Sequence, residues 1–418
     1  MPTDHALLDQ AGAEFDQALK LYGKGREADA EILCRRAIAK GLDGIKVQLF
    51  LARLWQNQGR LDEAEQALHA AVRLDPASPP AQRELAQLIW MRTGDLARAR
   101  AGLDAAPPTP VITSLTVRLL QWAGEDEAAA AFAAERADRD PSLNVLAARA
   151  AVTVDPEAAA RRLAITPQIG DGIARAKAEI ETSLALGEAQ DAARCAEHLH
   201  RARPTDHYVT ALLAAAWRLN ADPRCRVLYD YEKQVRTHRI AVPPGWTDLS
   251  CYLADLAGAL DEVHGGLTHP IGQSLRHGSQ TARDLREYPH PAIGALFGAL
   301  DGPIRQHIAK LGVRNYRVLG AWSVRLKEEG FHVDHVHPEG WLSSAFYVRV
   351  PPGLTDRAGW LKFGEPGTPT RPCLGAEYFI QPAPGLLALF PSYMWHGTVP
   401  FRDTARRTTI AFDALPAK

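Results

Sequence analysis

The sequence predicts an α+β multidomain chain, with a helical-repeat solenoid first and a β-rich domain last. Three observations carry this. Gly25, Gly59, Gly94, Gly124 and Gly187 are each followed five residues later by an alanine (Ala30, Ala64, Ala99, Ala129 and Ala192), and the first three glycines are spaced by 34 and 35 residues. Beyond residue 301 the chain turns aromatic and β-branched, in short runs broken by Gly and Pro. Finally, 418 residues with 46% hydrophobic content and a formal charge of −1 make a foldable composition of two or three domains.

The repeat has a physical logic. Glycine permits a tight turn, alanine allows two helices to approach closely, and a proline stops the second helix. Gly59 to Pro76, Gly124 to Pro141 and Gly187 to Pro204 each span seventeen residues, so GRLDEAEQALHAAVRLDP reads as one helix-turn-helix unit. This pattern resembles the tetratricopeptide repeat over about residues 10–205, clearly at 47–79 and loosely near 145–175. Residues 1–205 are therefore expected to form a tetratricopeptide-like α-solenoid. The resemblance implies a concave groove for a peptide or another protein, the alternative being a packing or dimerisation arm.

Residues 206–300 continue in a helical pattern and read as a bridge, with a Pro-Gly break at AVPPGW. The polar stretch QSLRHGSQTARDL at 273–285, with Arg276, His277, Gln280 and Thr281, reads as a loop between helices, the alternative being a border of the functional site.

The chemistry concentrates in residues 301–418. FHVDHVHPEGW places His332, Asp334, His335, His337 and Glu339 within eight residues, between two strand-like runs. Because alternate residues of a strand share a face, one face offers His332 and Asp334 and the other His335, His337 and Glu339. Either set suits a metal. A further ligand from a distant strand is available at His396, at the end of the apolar run QPAPGLLALFPSYMWHG, and Arg406 and Arg407 follow it in RRTTIAFD.

With HVHPEGWLSSAFYV, FPSYMWHG and RRTTIAF in this order, the segment resembles the non-haem iron, 2-oxoglutarate-dependent dioxygenases of the HxHP type. The likeness covers roughly 300–418. It implies a double-stranded β-helix (jelly roll), an Fe(II) ion, 2-oxoglutarate as cosubstrate and O₂. Fe(II) of this kind takes a facial set of three protein ligands. The favoured ligands are His335, His337 and His396, since the HxHP pair lies immediately before the PEG turn; the alternative pair is His332 and Asp334. A basic residue about ten positions after the distal His grips the cosubstrate carboxylate in this family, which points to Arg407, with Arg406 as the alternative. Arg407 shares its strand face with Thr409, and Ser343, Ser344 and Tyr347 on the preceding strand offer further hydroxyls. Beyond the metal centre no separate catalytic residue is expected. Trp341, Trp360 and Trp395 are candidate pocket walls, with core packing as their commoner role.

The implied activity is that of a 2-oxoglutarate-dependent dioxygenase, an oxidoreductase that hydroxylates a peptide or protein recruited by the repeats. Two alternatives stay open: a hydroxylase of small amino acids or metabolites, and a non-catalytic metal-binding interaction protein. Near-zero charge excludes a broad basic field for nucleic acid, and no run approaches the roughly 18 apolar residues of a membrane helix. Five scattered cysteines without a CxxC pair, and a start without a basic-then-apolar leader, point to the cytoplasm.

Overall fold

The repeat glycines are where the helices turn. In the computed structural model, which describes residues 4–167, 172–264, 270, 272–281 and 283–417, Gly25, Gly59, Gly94, Gly124 and Gly187 all adopt positive φ, from +65° to +84°. A side chain there would cost about 1–2 kcal/mol. The paired alanines, Ala30, Ala64, Ala99, Ala129 and Ala192, are at most 2% exposed, because each sits where one helix crosses the next.

The chain divides into two compact units, Met1–Ala123 and Gly124–Lys418. In the first, the helices Asp4–Tyr22, Glu27–Ala39, Ile45–Asn57, Leu61–Leu74, Pro79–Thr93, Leu96–Ala105 and Pro110–Trp122 pack mainly against their sequence neighbours. Prolines open two of these helices and Asp95 caps another, accepting a hydrogen bond from the Arg98 amide.

Among the described residues the second unit begins with six more α-helices, from Asp126–Arg139 to His207–Leu219. Part of the loosely repeating stretch near 145–175, residues 168–171, lies outside the described residues, as does Ala282 in the stretch at 273–285. Among the described residues the unit then builds nine strands: β1 Arg236–Arg239, β2 Leu275–Gln280, β3 Asn315–His332, β4 Leu342–Arg349, β5 Leu361–Phe363, β6 Tyr378–Ile380, β7 Leu386–Pro391, β8 His396–Thr398 and β9 Arg407–Ala417. They form an antiparallel six-stranded sheet, ordered β1-β7-β4-β9-β3-β2, and a three-stranded sheet, β6-β5-β8. This is the expected jelly-roll arrangement of two sheets. Phe363 of β5 meets Phe390 of β7 edge to face at 5.0 Å, joining them.

The central strands β4, β7 and β9 are buried on both sides, so they show little alternation of exposure. On one side Leu342, Phe346, Val348, Ile410 and Phe412 pack against the helices Leu249–Val263 and Pro291–Lys310. Strand alternation therefore turns Ser343 and Tyr347 of β4, and Arg407, Thr409 and Asp413 of β9, to the interior between the sheets.

Residues 206–300 are not helical throughout. The stretch at 273–285 read as an interhelical loop contains β2, which pairs with β3 through a bulge at Arg276/Gly278, and β1 adds an edge strand beside β7. RTHR and LRHGSQ are short and polar, and become strands because distant partners supply their hydrogen bonds.

The last repeat helices belong to the same core as the barrel. Ile180, Leu184, Leu199, Leu212 and Leu213 cluster with Phe363, Phe390, Met394 and Trp395, and the Trp395 indole donates to the Ala211 carbonyl at 3.0 Å. A fragment starting at residue 206 loses Ile180, Leu184 and Leu199, each worth about 1.5–3 kcal/mol of burial, against a total stability of roughly 5–15 kcal/mol. We expect residues 206–418 to show no cooperative melting transition and residues 124–418 to show one. Comparable transitions in both fragments would refute this. Among the described residues no helix is long and apolar enough to cross a membrane.

Candidate metal centre

β3 ends at His332, and the chain beyond it is stitched to the β7–β8 connection. His335 and His396 exchange backbone hydrogen bonds, N to O at 2.9 Å and 3.1 Å, and the His337 amide donates to the Ser392 carbonyl at 2.9 Å. These bonds bring three imidazoles from opposite ends of the domain together. Ligand nitrogens of His335, His337 and His396 all lie within 4.8 Å of one another, and the Nε2 atoms of His335 and His337 are 3.1 Å apart.

The other ring nitrogen of each histidine is engaged. His335 Nδ1 lies 2.8 Å from the Val333 carbonyl, His396 Nδ1 2.9 Å from the Met394 carbonyl, and His337 Nδ1 2.7 Å from Asp413 Oδ2. Carbonyl and carboxylate oxygens only accept, so each Nδ1 carries a proton, which in the neutral ring leaves the Nε2 lone pair for the common centre. Burial pushes His335 down to about 3, with His337 adding to the effect, and holds His396 well below the ordinary imidazole value. Both are neutral near pH 7, as metal ligation requires. The residues therefore fit a divalent metal.

Asp334 is not part of this group. Its Oδ2 accepts from Lys362 Nζ at 2.8 Å, and Lys362 also holds Glu365 at 2.6 Å. Burial raises the Asp334 carboxyl to about 6 despite the lysine. A close approach fixes it there, for a Cβ on Gly397 would lie 2.6 Å from Asp334 Oδ1.

His332, by contrast, lies beside the cluster. Its ring is nearly parallel to that of His335, centroids 6.0 Å apart, and its Nδ1 meets Ser274 Oγ at 2.8 Å. The division of FHVDHVHPE into two strand faces fails here, because residues 333–341 are not a regular strand and alternation stops at His332. Glu339 is exposed.

Arg407, at the start of β9, is 2% exposed, while Arg406 is exposed at the surface. The Arg407 guanidinium lies 5.0 Å from the centroid of the Tyr347 ring. Arg407 Nε and Tyr347 Oη are both buried without a hydrogen-bond partner of good geometry among the described residues. Burial lowers the Arg407 pKa and raises that of Tyr347. A buried cation beside an orphaned hydroxyl is an arrangement that an incoming carboxylate would complete. Thr409 is 4% exposed on the same face, and its backbone carbonyl accepts from Ser323 Oγ.

Several site residues escaped the sequence reading. Asp413 accepts from His337 and, at 2.7 Å, from Ser343 Oγ, which also lies 2.8 Å from Ser392 Oγ. Its signal was present, since Arg407, Thr409 and Asp413 recur at even spacing along one strand. Trp322 of β3 stacks on His337 at 6.0 Å and 19°; nothing local marked it. Of the tryptophans near the histidines, Trp395 is a core residue packed edge-on against Tyr208, while Trp341 and Trp360 are half-buried.

Residues 320–413 match a family model described as "Putative 2OG-Fe(II) oxygenase", and residues 57–111 match a tetratricopeptide repeat model. Among solved structures, a Pseudomonas putida prolyl-4-hydroxylase is 15% identical at TM-score 0.33, covering 45% of this chain and 96% of that one. HygX from Streptomyces hygroscopicus, with nickel and 2-oxoglutarate bound, is 14% identical at TM-score 0.31, over 46% and 86%. A tetratricopeptide repeat protein from Parabacteroides merdae is 17% identical at TM-score 0.35, over 45% and 78%. Comparison with curated proteins gives no match.

Proposed function

We propose that this chain, a 2-oxoglutarate-dependent oxygenase with a tetratricopeptide repeat region, hydroxylates a polypeptide at a centre held by His335, His337 and His396. The observation that carries the reading is the convergence of three Nε2 lone pairs on one point, with each Nδ1 proton already committed elsewhere. Fe(II), when bound, supplies the coupling of O₂ and 2-oxoglutarate to succinate, CO₂ and a hydroxylated C–H bond. The chain's own residues bind and orient. Arg407 pairs with the distal carboxylate of 2-oxoglutarate, Tyr347 Oη donates to the same group, and Thr409 lines that end of the pocket. Trp322 walls the centre beside His337. Five free cysteines fit a reducing cytoplasm.

Tetratricopeptide repeats generally bind other proteins, which favours a polypeptide over a free metabolite. Succinate formation by the iron-loaded protein tests the enzyme reading, and absence of 2-oxoglutarate turnover under any substrate would leave a metal-binding interaction protein.

The three candidate ligands are all imidazoles with no carboxylate among them, and Asp413 is the carboxylate bonded to one of them, at His337 Nδ1. Asp413→Asn keeps the shape and removes the charge. Loss of such an outer partner typically costs 10–100-fold in metal affinity, and a Co(II) titration followed by visible absorption is expected to show a weakening of about that size. Unchanged Co(II) affinity would remove Asp413 from the centre.

A further inference from the structure

The last repeat helices and the loop after His337 line an open cleft of about 760 Å³, bordered by Arg149, Lys177, Arg203, Asp206, Tyr208 and Glu339, among others. Its walls are tied to the metal ligands. Tyr208 packs edge-on against Trp395, the residue before His396, and Glu339 lies two residues after His337. His207 Nδ1 donates to the His337 carbonyl at 3.4 Å.

The cavity is hydrophilic, and most of its charges are already paired. Arg149 forks onto Glu181 at 2.9 Å and 3.0 Å, and Glu181 also accepts from Tyr208 Oη at 2.7 Å. Lys177 pairs with Asp206 at 2.7 Å. These contacts brace the walls rather than bind. Two charges are left over: Arg203 on the repeat side and Glu339 on the metal-loop side, both exposed, and neither making a side-chain hydrogen bond or ion pair among the described residues. Arg203 reaches the already paired Asp206 only through space.

We infer that this cavity is the substrate cleft, and that it takes a hydrophilic polypeptide segment carrying an acidic side chain toward Arg203 and a basic one toward Glu339. The inference rests on the polypeptide reading above and adds where the segment lies and which way it runs. A cavity of this volume suits a short segment rather than a whole domain. Opposite unpaired charges at two places in the lining reward one chain direction and penalise the reverse, since like charges brought together there are repelled.

The test uses the full-length, iron-loaded protein and a set of synthetic peptides with one Glu and one Lys at varied separations in both orders, reading peptide-dependent succinate formation. The native protein should prefer one order. Arg203→Glu and Glu339→Lys should each lower turnover of the preferred peptides about tenfold or more, and the double variant should favour the reversed order. Co(II) and 2-oxoglutarate binding should be unchanged in all three, because among the described residues neither side chain makes a hydrogen bond or ion pair with a candidate metal ligand. Equal turnover of both orders, or variants that keep the native preference, overturns the cleft assignment while leaving polypeptide hydroxylation standing. If no peptide stimulates succinate formation, the cleft inference and the polypeptide reading fall together, and stimulation by free amino acids in a parallel set would identify the small-molecule alternative.

Discussion

Alanine at His335, His337 or His396 is expected to abolish stoichiometric iron binding and, with it, 2-oxoglutarate turnover. Outer partners of metal ligands already cost 10–100-fold when lost; removing one of three ligands should exceed that, a fall of more than about 100-fold. The folded chain should survive in at least the His337 variant, since His337 is only partly buried and its backbone bond to Ser392 is untouched. Asp334→Ala is expected to retain the metal, because Asp334 is held by Lys362 and stands outside the cluster. His332→Ala should fall between these extremes, its ring lying against His335. Metal analysis of the five purified variants decides the assignment. Iron retained without His337 and lost without Asp334 would transfer the ligand role to the His332/Asp334 pair.

Arg407→Ala should leave the metal in place and weaken 2-oxoglutarate. A desolvated ion pair that loses one partner costs about 2–5 kcal/mol, or roughly 30- to 4,000-fold in affinity. Arg406→Ala should have no such effect, since Arg406 is exposed while Arg407 is buried against Tyr347. Tyr347→Phe removes one neutral donor and should cost about 0.5–1.5 kcal/mol. Anaerobic titration of 2-oxoglutarate into each metal-loaded variant measures all three. Loss of affinity in Arg406→Ala with none in Arg407→Ala would shift the role by one residue.

The repeats were legible because their determinants are local. A glycine at positive φ and an alanine five residues on answer to the geometry of one turn and one helix crossing, and both recur in the chain at readable spacing. Likewise three histidines and a buried arginine are conspicuous by type alone, and the even spacing of Arg407 and Thr409 is a property of any strand. The errors came where pairing is remote. β1 and β2 carry no apolar alternation, and become strands only because β7 and β3 offer unpaired edges.

The sequence by itself determined the order of the parts, the turn positions of the repeats, and which side chains are candidates for a metal centre and a carboxylate grip. Those are matters of residue type and short-range stereochemistry. The tertiary structure alone decided that Asp334 turns to Lys362 while His337 turns to Asp413, that His332 stands beside His335 rather than behind it, and that the last repeats share the barrel's core. These depend on groups remote in the chain, such as Ser274 against His332, and buried side chains take the orientation in which their polar atoms find partners, whatever the alternation of the local strand would have given them.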